Sequence, residues 1–181
     1  MSATLGQVYL ESVIKRQMSY KILGDMTFSQ LEDKDFHYKP NPESNSIAVI
    51  INHLSGNMLS RWTNFLTEDG EKPGRNRDEE FAEPSLTKEQ LLERWEKGWA
   101  CLLDTLGSLR EEDLLKTITI RHEPLLAVDA INRQLAHYPH HVGQIIYIGK
   151  MIRGAAWQSL SISKGASQAF NQFMQDKHAR R

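Results

Sequence analysis

Cysteine is almost missing from this chain of 181 residues: Cys101 stands alone. No internal disulfide can form, and a reducing compartment is expected. No run approaches the roughly 20 apolar residues that span a bilayer, and the opening "MSATLGQVYL" lacks a basic region followed by an apolar stretch. A cytoplasmic protein without a membrane partner is therefore expected. Neither sign of charge dominates, since 22 Lys and Arg oppose 23 Asp and Glu, so nucleic acid is not an expected partner. The basic tail "DKHARR" reads as a solvated, frayed end. The chain also lacks an internal repeat, a low-complexity tract and a phosphate-cradling glycine motif.

What is present points to one helical domain over residues 1–181. With 40% hydrophobic and 25% charged residues, this length supplies one well-buried core. A first helix is expected over about residues 3–24, carrying Leu5, Val8, Tyr9, Val13 and Ile22 and stopping at Gly24. A short helical turn follows Ser29. The second long helix should begin near Ser46 and run to about Leu66, with Ile47, Ile50, Ile51, Leu54, Met58, Trp62 and Phe65 on one stripe. Residues 67–84 hold ten charged residues in eighteen, which reads as a functional lid or a mobile linker.

A third helix is expected from Thr87, where "TKEQ" has capping-box spacing, through Leu91, Trp95, Leu102, Leu106 and Leu109. The segment "KTITIRHEPLLAV" alternates apolar and polar residues around "RHEP", which suggests a short β-hairpin. The fourth long helix is "INRQLAHYPHHVGQIIYIGKMI", residues 131–152, and "KGASQAFNQFMQDKHARR" suggests a short, weakly amphipathic final helix. The fold class expected is all-α, a bundle of four long helices.

On the fourth helix Ile131, Leu135, Tyr138, Val142, Ile145, Gly149 and Ile152 form the core stripe. At about 100° per residue, Gln134, His137, His141, Gln144 and Ile148 fall along its flank. His137 and His141 are i and i+4 neighbours, with Cβ atoms roughly 5–6 Å apart, a spacing that lets two imidazoles reach one cation. His53, on the second helix, lies off its own stripe in the same rotational sense, and Gly56 one turn on leaves room for something to enter. On these residues alone two readings stand: histidines satisfied by hydrogen bonds, or ligands of one ion. Pro139 removes the amide that would bond the carbonyl of Leu135, so a kink or bulge is expected between them.

The other candidates have milder readings. His140 reads as exposed or as a hydrogen-bond partner, His122 as a hairpin-turn residue and His37 as a loop residue. Asn57 is placed to line the same pocket as His53, and Gln144 to orient a bound water or satisfy nearby backbone. Arg75 and Arg77 can receive an anion, but pairing with Asp78, Glu79 and Glu80 is favoured. No Lys or Arg cluster stands out as a clamp for a thiol cofactor. Trp62, Trp95 and Trp99 read as core or interface residues, and Cys101 as a buried, inert thiol.

The segments "NHLSGN", "DGEKPGRNRDEEF", "INRQLAHYPHHVGQIIYIGK" and "WQSLSISKGASQAFN" together resemble the DinB-like superfamily, in a bacterial branch of unassigned function. The resemblance spans nearly the whole chain. It implies an up-and-down four-helix bundle, often a homodimer, and a divalent metal held by His53, His137 and His141. Gln144 falls on the glutamine that often follows the last ligand. Three neutral imidazoles leave an open coordination position that can activate water or a thiol. Zinc or nickel is expected first, with iron and copper also compatible with imidazole donors. The implied activity is that of a metal-dependent transferase or hydrolase, with transfer of a bacillithiol-type low-molecular-weight thiol the first reaction to try on a small-molecule substrate. The competing class is a non-catalytic, dimeric helical protein, stress-associated or structural, with a structural metal or none.

Overall fold

Capping side chains fix where three of the four long helices begin. In the computed structural model, which describes residues 2–179, α1 (Leu5–Phe28) starts at Thr4, whose hydroxyl accepts from Gln7 N while the Gln7 side chain accepts from Thr4 N. A short α2 (Asp33–Phe36) follows. The next long helix, α3 (Ile47–Trp62), starts at Ser46, whose hydroxyl accepts from Val49 N at 3.1 Å. After a single turn, α4 (Arg77–Glu80), α5 (Lys88–Ser108) opens on the expected box of Thr87 and Gln90. Each such cap satisfies amides that the helix itself leaves without a partner.

The hairpin lies where its alternation predicts, as β1 (Thr117–Ile120) and β2 (Glu123–Leu126), antiparallel, with Thr117 opposite Leu126 and Ile120 opposite Glu123. It leads directly into α6 (Ala127–Arg153), which begins four residues earlier than expected. No side chain caps α6; instead the amides of Ala127 and Val128 donate to the carbonyls of Lys116 and Leu114 at 2.9 and 3.0 Å. The last helix is α7 (Ser167–Ala179), which buries none of its residues. Met1 and the tail residues Arg180 and Arg181 lie outside the described residues.

The protein is thus mostly helical with one small hairpin. Trp62, Trp95, Trp99, Tyr138 and Phe36 are almost wholly buried between the long helices. The three tryptophans are core residues. At 150–250 Å² of surface each, every one contributes about 4–6 kcal/mol of burial as an upper bound.

The long helices do not simply alternate in direction. Ser55 meets Gly98 and the carbonyl of Trp62 accepts from Thr105, so α3 and α5 run parallel. Tyr9 bonds Asn132 while Thr27 abuts Gly149, so α1 and α6 also run parallel. Lys21 meets Glu96 while Lys88 reaches the carbonyl of Phe28, so these two pairs oppose each other. A parallel neighbour needs a long return connection, and residues 63–87 supply it.

Two further boundaries differ from expectation. Helix α1 passes through Gly24 to Phe28, because Gly24 is a packing residue: a Cβ there would lie 2.5 Å from the Trp95 ring. Its apolar stripe also differs in part: Val13 is buried as expected and Leu10 with it, while Leu5, Val8 and Ile22 are exposed. Helix α3 stops at Trp62, since Asn64 takes a left-handed conformation (φ 50°). And α6 continues as an α-helix through Pro139, so the kink or bulge expected there does not interrupt it. The neighbours of Pro139, Tyr138 and Val142, pack fully into the core.

Candidate metal centre

Three histidines from two helices converge at one side of the core. His53 on α3 is 4% exposed, and its Nε2 lies 3.3 Å from Nε2 of His137 on α6. Nε2 of His141, one turn further along α6, lies 3.2 Å from the same atom. The structure therefore brings together all three histidines expected as ligands.

The opposite nitrogen of each ring is held from outside. Nδ1 of His53 donates to Glu80 Oε2 at 2.9 Å, Nδ1 of His137 to Gln134 Oε1 at 3.0 Å, and Nδ1 of His141 to Gln144 Oε1 at 2.8 Å. With the proton on Nδ1, every Nε2 turns a lone pair toward the same point. Three lone pairs at this spacing repel unless a cation lies among them. Two nitrogens each about 2.0–2.1 Å from a tetrahedral ion stand about 3.3–3.4 Å apart, which matches the contacts to His137. The donor set thus fits a divalent ion.

Protonation favours the same arrangement. Burial, with His141 and His53 as positive neighbours when charged, pushes the His137 pKa down to about 3. Burial likewise lowers His141 to about 4, against the opposing hydrogen bond it donates to Gln144. Both rings are neutral at pH 7 and available as ligands.

Glu80 is the residue that spacing alone did not reveal. It sits 27 positions from His53 in a charged loop, and nothing in the loop's composition separates it from Asp78 or Glu79. In the fold it is buried, with Arg75 Nε donating to Oε1 at 2.6 Å and Arg75 Nη2 to Oε2 at 2.8 Å. Burial alone would raise its pKa, but the fork of Arg75 and then His53 outweigh that and lower it. Glu80 therefore stays ionised. Gly56 makes this possible, because a Cβ there would collide with Glu80 Oε1. The room that Gly56 leaves is filled by a carboxylate.

The loop is fastened to its neighbours over its length. Ser60 donates to the carbonyl of Gly70 at 2.7 Å, Arg61 pairs with Glu71 at 2.8 Å, and Gly70 N donates to the carbonyl of Thr119 at 2.8 Å. Asp69 accepts from the amides of Arg121 and His122 at 2.9 and 2.8 Å, holding the hairpin turn where both residues have positive φ. These contacts tie the loop to α3 and to the hairpin. Phe81 closes one side of the site by stacking on the His53 ring at 4.5 Å, and Arg77 lies 5.0 Å over Phe81 in turn.

A cavity of about 370 Å³ opens above the three Nε2 atoms. Asn57 lines it as expected, with its Oδ1 accepting from Tyr138, which itself accepts from Trp62. Gln144 does not line it; it stands behind His141 as an orienting acceptor. Of the acids expected to pair with Arg75, only Glu80 does so, joined by Glu71. Five arginines line the cavity, Arg61, Arg75, Arg77, Arg121 and Arg133. That corrects the expectation of no basic cluster, and the reason is topological: they come from α3, the loop, α4, the hairpin turn and α6.

The remaining histidines stay away from the centre. His140 is exposed, with Nε2 3.3 Å from the Gln144 amide. His122 is exposed in the hairpin turn, and His37 caps α2 against Glu83 and the carbonyl of Leu86. Cys101 is half-buried near Thr63, with Sγ 3.7 Å from its hydroxyl.

The chain belongs to the family described as "Protein of unknown function (DUF1572)", whose model matches residues 4–166. That span holds the three histidines, Glu80 and the arginine-lined cavity, and ends just before α7. No curated protein matches the chain.

Proposed function

We propose that this DUF1572 chain is a DinB-like four-helix bundle metalloprotein, an enzyme whose divalent ion is held by His53, His137 and His141. The observation that carries the reading is the convergence of three Nε2 atoms, each ring with a side-chain oxygen at its far nitrogen. Zinc and nickel come first among the ions, with iron and copper also compatible. A bound divalent ion supplies a Lewis acid that brings the proton of water or a low-molecular-weight thiol within reach at neutral pH.

The chain's own residues then have distinct tasks. Glu80, Gln134 and Gln144 hold the ring tautomers. Arg75 keeps Glu80 ionised and aimed at His53, while Phe81 and Asn57 shape the cavity wall. A transferase of a bacillithiol-type thiol, or a hydrolase, fits a site whose three donors open on a space of about 370 Å³. A purely structural ion, the competing reading, calls for a closed shell of four protein ligands. The bundle is proposed as a homodimer, supported by Leu5, Val8 and Ile22 of α1 left exposed, and size measurement in solution tests it.

Cobalt substitution tests the site. Loaded with Co(II), the chain should show the visible bands of a tetrahedral ion, and added thiol or azide should shift them through the open position. A cobalt spectrum that no small ligand alters would assign a closed structural site and overturn the enzymatic reading.

A further inference from the structure

We infer that the cavity over the three histidines is a receptor for an anionic small molecule, one bearing a carboxylate or a phosphate group, gripped by Arg77, Arg133 and Arg121. This deepens the proposed function by naming the substrate class of the same site, and it rests on that reading only for the part the ion would play.

The argument starts from how the five arginines are used. Arg61 is buried, the Arg75 side chain is 4% exposed, and both are committed: Arg61 to Glu71 and the carbonyl of Gly70, Arg75 to Glu80 and Glu71. They hold the wall together. The outer three are exposed. Arg121 shares the already divided Glu71 carboxylate at 3.2 Å. Arg77 and Arg133 have no carboxylate within 4.0 Å among the described residues, and neither donates a hydrogen bond there.

Unpaired guanidinium groups are ordinary on an open surface. Here they line one concave space with the three imidazoles, and no Asp or Glu lines it with them. Their placement is also enforced. Arg77 is fixed over the Phe81 ring, which itself stacks on His53. Arg121 takes φ 54°, a conformation disfavoured for a residue with a side chain, and Asp69 anchors that turn through two amides. A hairpin turn of two residues is ordinarily built from Asn and Gly, so placing Arg there sets a long cationic side chain at the rim. Planar forks of this kind suit carboxylate and phosphate oxygens. With an ion at the triad, the same cavity would place the bound anion's neighbouring atoms beside the Lewis acid.

The test separates this claim from the metal. Sulfate, standing for a phosphate monoester, and succinate, standing for a carboxylate substrate, are titrated by calorimetry into the full chain, both metal-free and zinc-loaded. The comparison set is Arg77→Gln with Arg133→Gln, and His53→Ala. Both arginines are exposed, so the double variant should fold, which circular dichroism checks. The expected result is saturable binding of at least one anion to the metal-free wild type, weakened about tenfold or more in the double variant. That variant should keep its zinc, and His53→Ala should keep its anion binding. A preference for sulfate or for succinate assigns phosphate or carboxylate. No saturable binding to the wild type, or equal binding by the double variant, overturns the inference. Zinc failing to bind while the anion does would defeat the metal reading alone.

Discussion

Two histidines of this protein sit 2.9 Å from a glutamate of the same loop, and only one belongs to the candidate site. His37 Nδ1 faces Glu83 and His53 Nδ1 faces Glu80. The other nitrogen makes the difference. Nε2 of His37 is 2.9 Å from the carbonyl of Leu86, an acceptor that uses it up. Nε2 of His53 instead meets His137, whose Nε2 also meets His141. A His–carboxylate pair is thus a local tie when both nitrogens are spent on the protein. It becomes a donor when the second nitrogen is kept free and aimed.

The sharpest way to break the comparison is to remove each ring. His53→Ala should lower zinc affinity by more than the 10–100-fold typical of an outer partner, whereas His37→Ala should leave it unchanged, as competition against a chelating dye would show. Exchanging the carboxylates comes next. Glu80→Gln should cost about 10–100-fold in zinc affinity and Glu83→Gln nothing, measured the same way. Gly56→Ala should weaken zinc by about tenfold without touching a ligand, because the new methyl displaces a Glu80 carboxylate that Arg75 and His53 hold in place.

Acid sharpens the contrast without mutation. In the metal-free chain His137 and His141 titrate at about 3 and about 4, against 6.5 when unfolded. Below pH 6.5 the unfolded state therefore binds more protons, and stability falls as pH drops from there toward 4. Thermal melting of the metal-free chain should show this, and a melting temperature that does not fall between pH 6.5 and 5 would contradict it. The smallest effect is expected from His37→Ala on stability. Its two ties, to Glu83 and to the carbonyl of Leu86, are together worth about 2 kcal/mol or less, a shift of roughly 4–8 °C in melting temperature at most.

Much of this was legible in the chain itself. The stripe from Ile47 to Trp62, the Thr87 box and the alternation around "RHEP" each reflect local rules of period and capping, and the structure places them where those rules say. His137 and His141 were readable as neighbours because i and i+4 residues always share a helix face. His53 could be joined to them only by resemblance, since its distance to α6 depends on packing. The pairing of Arg75 with Glu80 was readable as one of several, but the hold of Glu80 on His53 and the gathering of five arginines at one cavity were not. The arginines meet at the cavity from α3, the loop, α4, the hairpin turn and α6, along paths that depend on ties such as Asp69 to the Arg121 amide, and no periodicity encodes those. Helix α1 misled for a related reason: Leu5, Val8 and Ile22 have the spacing of a stripe, yet the buried face is the one with Leu10, Val13 and Gly24, where Gly24 lies against the Trp95 ring.

The central claim is that three imidazoles hold one ion and leave a position open. X-ray absorption by zinc-loaded protein tests it most directly. The account predicts three imidazole nitrogens at about 2.0–2.1 Å and one further light atom. A shell made mainly of carboxylate or water oxygens, or no retained zinc at all, would contradict it.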